Sequence, residues 1–579
     1  MKKTFHEGRT RLRILGVAIG FSFGLVIIRL AALQGIEAPH WVRKAAREHE
    51  RTFEVQGERG KIYDRNGQPL AVNVEVPSVF AVPSLISDPE ATARKLASLF
   101  QEDRRLLLQR LKTGREFVWI HRKADPERVG AFSLNRTPGL GILMESQRVY
   151  PKQLLLGQTL GFADTDNRGL EGVELRYDAQ LQGERGRLIF EQDARGLLVF
   201  PKNLAYHLPS GGKNIYLTVD ERIQYVSERE LDRAMESTRA KAGLVITMDP
   251  RTGELLSLAV RPQFNPNARD SHLPSQWRNR PITDLYEPGS TFKIVAAAAA
   301  LEEGAVRPDE LIFCENGRMN LAGKTLHDHT PSLWLSFEDV VAKSSNIGIA
   351  KVAARLGPDR LMRYISGFGF GEKTGIDLPG EAQGKIRALS EWSERSLATI
   401  AIGQEVGVTP IQMISAMAAI ANGGLLLTPH VMRLIADEQG QGIYSASPQV
   451  RRRVVSEETA RKLTRILERV VERGGTGERA AIPGYPVAGK TGTAQKFDPV
   501  TGTYSADRFV SSFVGFIPAD FPKVVILVLI DEPQGANKFG GSVAAPVFRS
   551  IGEEVLQQLG APPRGRSPVV FARAALGSP

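Results

Sequence analysis

The sequence predicts a mixed α/β protein whose main domain carries a largely antiparallel sheet flanked by helices, and three stretches carry that expectation. Leu244–Met248 and Glu254–Val260 flank the turn Asp249-Pro250-Arg251-Thr252-Gly253 and read as a hairpin. Lys523–Ile530 is an unbroken apolar run of strand length, the kind buried on both faces. Lys293–Leu301 is Ala-rich and the best helix former in the chain. Helices interspersed with strands, one pair of them a hairpin, indicate helices layered on a sheet.

Taken in order, the amino end carries Lys2, Lys3, Arg9, Arg11 and Arg13 against the single acid Glu7. The charge-free run Ile14–Ile28 follows and, continued past Arg29 to Leu33, reaches about 20 residues, enough to cross a bilayer. Arg29 lies near the far end, where its long side chain snorkels to the interface. The excess of cations before the span predicts residues 1–13 in the cytoplasm, a transmembrane helix over 14–33 and the remainder outside. The residues after the run offer no clean A-x-A site, which favours a retained anchor over a cleaved signal peptide. Gly16, Gly20 and Gly24 recur every four residues, so they share one face of this helix.

Trp41–Glu54 is charged and helix-compatible, as a stalk would be. Arg59-Gly60-Lys61-Ile62-Tyr63-Asp64-Arg65-Asn66-Gly67 predicts a strand ending in an Asn-Gly turn. Pro209-Ser210-Gly211-Gly212-Lys213 is a turn-rich break, so residues 34–213 are expected to form a stalk and a separate α+β domain. Beyond it, Ile215–Val219 reads as a strand, and Asp220 as the cap of a helix through Met235. The main domain is expected over 214–560. The Pro-, Arg- and Gly-rich tail 561–579 shows no core pattern and is expected to be disordered.

At 579 residues the chain needs two or three cores. Its composition, 42% hydrophobic and 24% charged, is that of ordinary globular proteins. A net charge of +11 suits an anionic neighbour. No nucleic-acid module accompanies it, and charge alone leaves a lipid headgroup or an anionic polymer as the compatible neighbours. Cys314 is the only cysteine, which excludes an intramolecular disulfide. His327, Asp328 and His329 follow it, but their spacing fits no standard zinc pattern, and the expectation is no metal and no cofactor.

The chemistry is expected around Glu287-Pro288-Gly289-Ser290-Thr291-Phe292-Lys293. A helix starting near Ser290 puts Lys293 on the same face, three residues on, so the amine lies beside the hydroxyl as its base. Alone, such a pair is common. Ser344-Ser345-Asn346 and Lys490-Thr491-Gly492-Thr493 follow in order and complete the S-x-x-K, S-x-N, K-T-G set of the active-site serine penicillin-recognising enzymes.

With these motifs, and with Arg278–Tyr286, Ile402-Gly403-Gln404, Thr409-Pro410-Ile411-Gln412, Gly540-Gly541 and Ala544–Phe548, the chain resembles the class B penicillin-binding proteins, most closely the cell-division (FtsI) type. Arg59–Gly67, Arg148-Val149-Tyr150-Pro151 and Gly169–Glu174 resemble pieces of that family's non-catalytic, dimerisation-like pedestal. The resemblance implies a serine β-lactamase-like transpeptidase fold, elongated pedestal and single membrane helix. It implies that Ser290 attacks the D-Ala-D-Ala bond of a stem peptide, that Lys293 serves as base, and that Ser344 relays a proton while Asn346 holds Lys293 and substrate. Lys490 supplies positive charge, Thr491 and Thr493 bind the substrate carboxylate beside Gly492, and the backbone N–H groups of Ser290 and Thr493 form the oxyanion hole. The implied partners are peptidoglycan stem peptides, lipid-linked glycan strands, β-lactams as covalent inhibitors, and a SEDS-type glycan polymerase with other division proteins, but no nucleic acid. An elongation-type or sporulation-type transpeptidase and a membrane-bound β-lactam sensor remain the alternatives.

Overall fold

The computed structural model describes residues 2–41, 44, 50–55, 57–115, 117–131, 137–184, 186–192, 198–199, 210–498, 500–535 and 537–563. They fall into two compact units, 1–58 with 183–211, and 59–182 with 212–579.

In the first unit, α1 spans Lys2–Ala31. Arg11–Ile36 is helical, apolar and long enough to cross a membrane. Arg29 pairs with Glu37 at 2.6 Å just beyond the apolar stretch. The expected stalk helix is not continuous to Glu54. Glu50–Val55 forms strand β1, paired antiparallel with β6 (Gly186–Gln192), which also pairs with β7 (Leu198–Val199). Thr52, Phe53 and Val55 are strand formers, and a partner strand more than a hundred residues away overrides the helical bias of the charged residues. Residues 42–43 and 45–49 of the stalk lie outside the described residues, as does the tail from 564 onward. Ala561 is described, and its carbonyl accepts from the Tyr485 hydroxyl at 2.7 Å.

In the second unit a sheet bridges the turn-rich break. Strand β2 (Ile62–Tyr63) pairs antiparallel with β3 (Pro69–Ala81) and parallel with β8 (Asn214–Leu217), so one sheet runs across the boundary. β3 continues to β4 (Val118–His121) and β5 (Leu140–Val149). The expected turn between β2 and β3 is present, with the Asp64 carboxylate accepting from the N–H groups of Asn66 and Gln68 at 2.8 Å each. The three pedestal-like motifs meet at Glu174, which is fully buried between Arg59 (2.6 Å) and Arg148 (2.7 Å) and also accepts from Tyr150 Oη. Burial opposes ionisation there, but the Arg148 and Arg59 guanidiniums outweigh it and hold the carboxyl below its ordinary range.

The catalytic-motif half contains a five-stranded sheet in the order β10–β9–β13–β12–β11, every neighbour antiparallel. Its strands are β9 (Ala242–Met248), β10 (Leu255–Arg261), β11 (Ala488–Asp498), β12 (Thr503–Ile517) and β13 (Val524–Asp531). Val524–Ile530 is buried at every position of a central strand, so helices must cover both faces, as the apolar run predicts. Asp220 caps α2 (Glu221–Thr238) as expected, accepting from Arg222 N. The Ala-rich run is α3 (Lys293–Glu302), buried from Lys293 to Leu301. Its small side chains let other helices approach closely, and α5 (Asn346–Leu356), which follows α4 (Phe337–Ala342), packs directly on it. This contact brings Lys293 and Asn346 together.

Candidate active site

The nucleophile segment is not yet α-helical at Ser290. Gly289–Phe292 is a 3-10 turn, and the α-helix proper begins at Lys293, whose N–H bonds the Ser290 carbonyl. Pro288 precedes the turn and Gly289 opens it at φ +54°, a conformation that favours glycine. The turn packs on β11. A Cβ at Gly492 would lie 2.4 Å from Ser512 Oγ, 2.9 Å from Thr291 Cγ2 and 3.1 Å from the Pro288 carbonyl. Glycine in this strand therefore serves close packing within the chain, and the same holds for Gly489, where a Cβ would meet the Phe513 ring at 2.5 Å.

Four of the expected residues form one hydrogen-bonded cluster. Lys293 Nζ donates to Ser344 O at 2.6 Å and Asn346 Oδ1 at 2.7 Å, and lies 3.2 Å from Ser344 Oγ. Lys490 Nζ reaches the same Ser344 Oγ at 2.9 Å from the opposite strand, and Thr491 O at 3.2 Å. The Ser344 hydroxyl thus bridges two amines. Ser344 can offer both its carbonyl and its hydroxyl to Lys293 because it sits at φ +60° between α4 and α5. A left-handed serine costs about 1–3 kcal/mol and persists only where its surroundings hold it.

Both lysines are fully buried. Burial, and then the neighbouring Lys490 charge, hold the Lys293 amine well below an ordinary lysine, with Asp328 pulling the other way. Burial pushes Lys490 down to about 7. A neutral Lys293 keeps two hydrogens for its short bonds to Ser344 O and Asn346 Oδ1, which frees its lone pair to take a proton. Ser290 is half-buried one turn away, and among the described residues its hydroxyl makes no hydrogen bond within the chain.

The two threonines differ. Thr491 is buried and its hydroxyl bonds that of Thr476 at 2.8 Å, whereas Thr493 is half-buried and its Oγ1 accepts from Gly540 N at 3.0 Å. With a lone pair already taken, Thr493 is free to donate its proton to an anionic ligand.

Reasoning along the chain missed Asp328 as a site-building residue. Its carboxylate accepts from Asn346 N (2.5 Å), Ile347 N (3.0 Å) and Ser345 Oγ (2.5 Å), anchoring the first turn of α5. His327 O accepts from Asn346 Nδ2 at 2.7 Å, which fixes the amide so that Oδ1 faces Lys293. Nothing local marks Asp328, because its partners lie 17 to 19 residues on. Cys314 is buried with Ser345 Oγ at 3.7 Å from its sulfur, and the described residues include no group of three metal-ligating side chains.

Comparison with known proteins agrees along almost the whole chain. Residues 243–553 match the penicillin binding protein transpeptidase domain and residues 54–217 the penicillin-binding protein dimerisation domain. Stage V sporulation protein D of Bacillus subtilis is 37% identical over 96% of this chain and 87% of its own length. Peptidoglycan D,D-transpeptidase FtsI of Escherichia coli is 31% identical over 96% of this chain and 92% of its own. The crystal structure of penicillin binding protein 3 from Mycobacterium tuberculosis in complex with ampicillin superposes with a TM-score of 0.70 at 28% identity, covering 89% of this chain and 98% of that one. Sequence identity at this level over nearly full length, on the transpeptidase fold and with the three motifs converging on one buried pair of lysines, means that the chain belongs to the class B penicillin-binding proteins, the family of peptidoglycan D,D-transpeptidases.

Proposed function

We propose that this chain cross-links peptidoglycan stem peptides at the division septum through an acyl-enzyme on Ser290. The observation that carries the chemistry is the two-lysine cluster on Ser344 Oγ, one turn from a half-buried serine whose hydroxyl is unbonded among the described residues. Neutral Lys293 takes the Ser290 proton as Oγ attacks the carbonyl of the D-Ala-D-Ala bond. Ser344, held between the amines, passes a proton to the leaving D-alanine nitrogen. The Ser290 N–H, second in its turn and so without a partner inside it, faces the developing oxyanion together with the Thr493 N–H. Lys490 and the Thr493 hydroxyl bind the substrate carboxylate. A stem-peptide amine from a neighbouring strand then displaces Ser290 and closes the cross-link.

The cations before the apolar helix favour an amino end in the cytoplasm and a site outside the membrane. The division role carries with it a SEDS-type glycan polymerase as partner. The similarity to stage V sporulation protein D supports a second reading, a sporulation-type transpeptidase.

The chemistry is tested by intact mass after penicillin treatment. A single penicilloyl adduct is expected on the Ser290 peptide, absent in Ser290→Ala, followed by cross-linking of lipid-linked glycan strands by the wild type only. An adduct elsewhere rejects the site, and acylation without cross-linking favours a sensor. Depletion that produces filaments supports the division role, whereas normal division with defective spores supports the other.

A further inference from the structure

Glu287 lies two residues before the turn that carries Ser290, and its carboxylate touches two other parts of the chain. Oε1 accepts from the Glu405 N–H at 3.0 Å and from the Tyr504 hydroxyl at 3.1 Å. Oε2 is buried without a hydrogen-bond partner. Glu405 belongs to the 403–408 segment, whose Gly403 carbonyl takes the Gly289 N–H at 3.0 Å and whose Val408 exchanges both backbone bonds with Tyr286. Tyr504 lies opposite Phe497 at the outer end of the β11–β12 ribbon, and β11 is the strand of Lys490 and Thr493. One carboxylate therefore fastens the far end of the substrate-binding ribbon to the base of the nucleophile turn.

Among the described residues no cation pairs with it. Arg387 is taken by Glu405, Arg280 by Asp284, and Lys496 by Asp531 and Glu532. The titratable side chain that bonds it is Tyr504, a phenol. Burial pushes the Glu287 carboxyl up to about 7, with the Tyr504 hydrogen bond opposing. An ionised carboxylate is a strong acceptor and a protonated one a weak acceptor, so the two ties at Oε1 weaken together when a proton binds.

We propose that Glu287 is a positioning residue for acylation, its ionised carboxylate clamping the β11–β12 ribbon onto the Ser290 turn and its protonated form releasing that clamp. The inference rests on Ser290 being the acylated residue.

The test uses the full-length protein in detergent micelles and a fluorescent penicillin, with second-order acylation rates measured from pH 5.5 to 8.5 for wild type, Glu287→Gln and Tyr504→Phe. Gln is neutral throughout, so the wild-type to Gln ratio should rise with the ionised fraction, up to about tenfold between pH 6 and pH 8 for a group titrating near 7. Tyr504→Phe removes one hydroxyl from the ribbon. It should lose rate at pH 8 and converge on wild type at pH 6. A ratio independent of pH for both variants overturns the proposal, because lost packing alone would lower the rate equally at every pH. The labelled peptide is mapped in each case. An adduct away from Ser290 would reject the site itself, whereas a Ser290 adduct with a flat ratio rejects only the clamp.

Discussion

Replacing Lys490 with Met probes the electrostatics that would let Lys293 act as the proposed base. The two amines lie at 3.2 and 2.9 Å from the same Ser344 Oγ, so they are no farther apart than those bonds laid end to end, about 6 Å. At an effective dielectric of about 20, two unit charges at about 6 Å repel by roughly 2.8 kcal/mol, equivalent to about 2 pH units. While charged, Lys490 therefore contributes on the order of that much to keeping Lys293 neutral, on top of burial, which is the larger cause. The sign follows directly. Without the Lys490 charge, protonated Lys293 is less disfavoured, its folded pKa rises, and less neutral base exists at any given pH. Lys490→Met should move the acid limb of the acylation profile upward, by about 2 pH units on this estimate, costing about 100-fold in rate on that limb. A further loss is expected from the proposed contact of Lys490 with the ligand carboxylate, greatest below about pH 7, where Lys490 is charged. The assay is stopped-flow acylation by a fluorescent penicillin across pH, where limb position and plateau height separate the two effects. An acid limb that stays put or moves to lower pH would refute the coupling and leave burial alone as the cause.

Four further perturbations are expected to act through named contacts. Asp328→Ala orphans the N–H groups of Asn346 and Ile347 and should cost about 1–2 kcal/mol in a denaturation midpoint, together with slower acylation as Asn346 loosens. Glu174→Gln breaks a buried pair and should cost about 3–5 kcal/mol at neutral pH. Because the folded Glu174 carboxyl is depressed from its ordinary 4.5, this contribution is present above that pH and lost as pH falls through the folded value. Melting curves from pH 7 down should thus converge for wild type and Gln variant, and parallel curves would contradict the assignment. Thr493→Val keeps the backbone N–H but removes the hydroxyl, so acylation by a penicillin should fall more than acylation by its carboxylate ester, as measured by competition labelling. Gly20→Leu puts a bulky side chain on the face shared with Gly16 and Gly24 and, if the proposed glycan polymerase docks there, should weaken co-purification with it while leaving Ser290 labelling intact.

Much of this protein was legible along the chain because the physics involved is local. An Ala-rich run makes a helix, and an eight-residue apolar run makes a buried strand. A cation-flanked apolar stretch makes a membrane-length helix, and Ser290 with Lys293 makes a one-turn pair whatever surrounds them. Adjacency also kept Ser344 with Asn346, and Lys490 with Thr493. The sequence could not show that a strand would replace the end of the stalk helix at Glu50–Val55, since the strand partner lies at Gly186–Gln192. Nor could it show that β2 would pair with β8 across the turn-rich break. The decisive chemistry is also tertiary. Lys293 and Lys490 are ordinary lysines until packing buries both and places Ser344 Oγ, 51 residues from one and 146 from the other, between them. The left-handed backbone at Ser344, the capping of α5 by Asp328 and the pairing of Thr491 with Thr476 likewise exist only after distant segments meet. Desolvation and Coulomb coupling depend on what surrounds a group in space, so the candidate residues could be listed from the sequence while their clustering and protonation could only be decided by the fold.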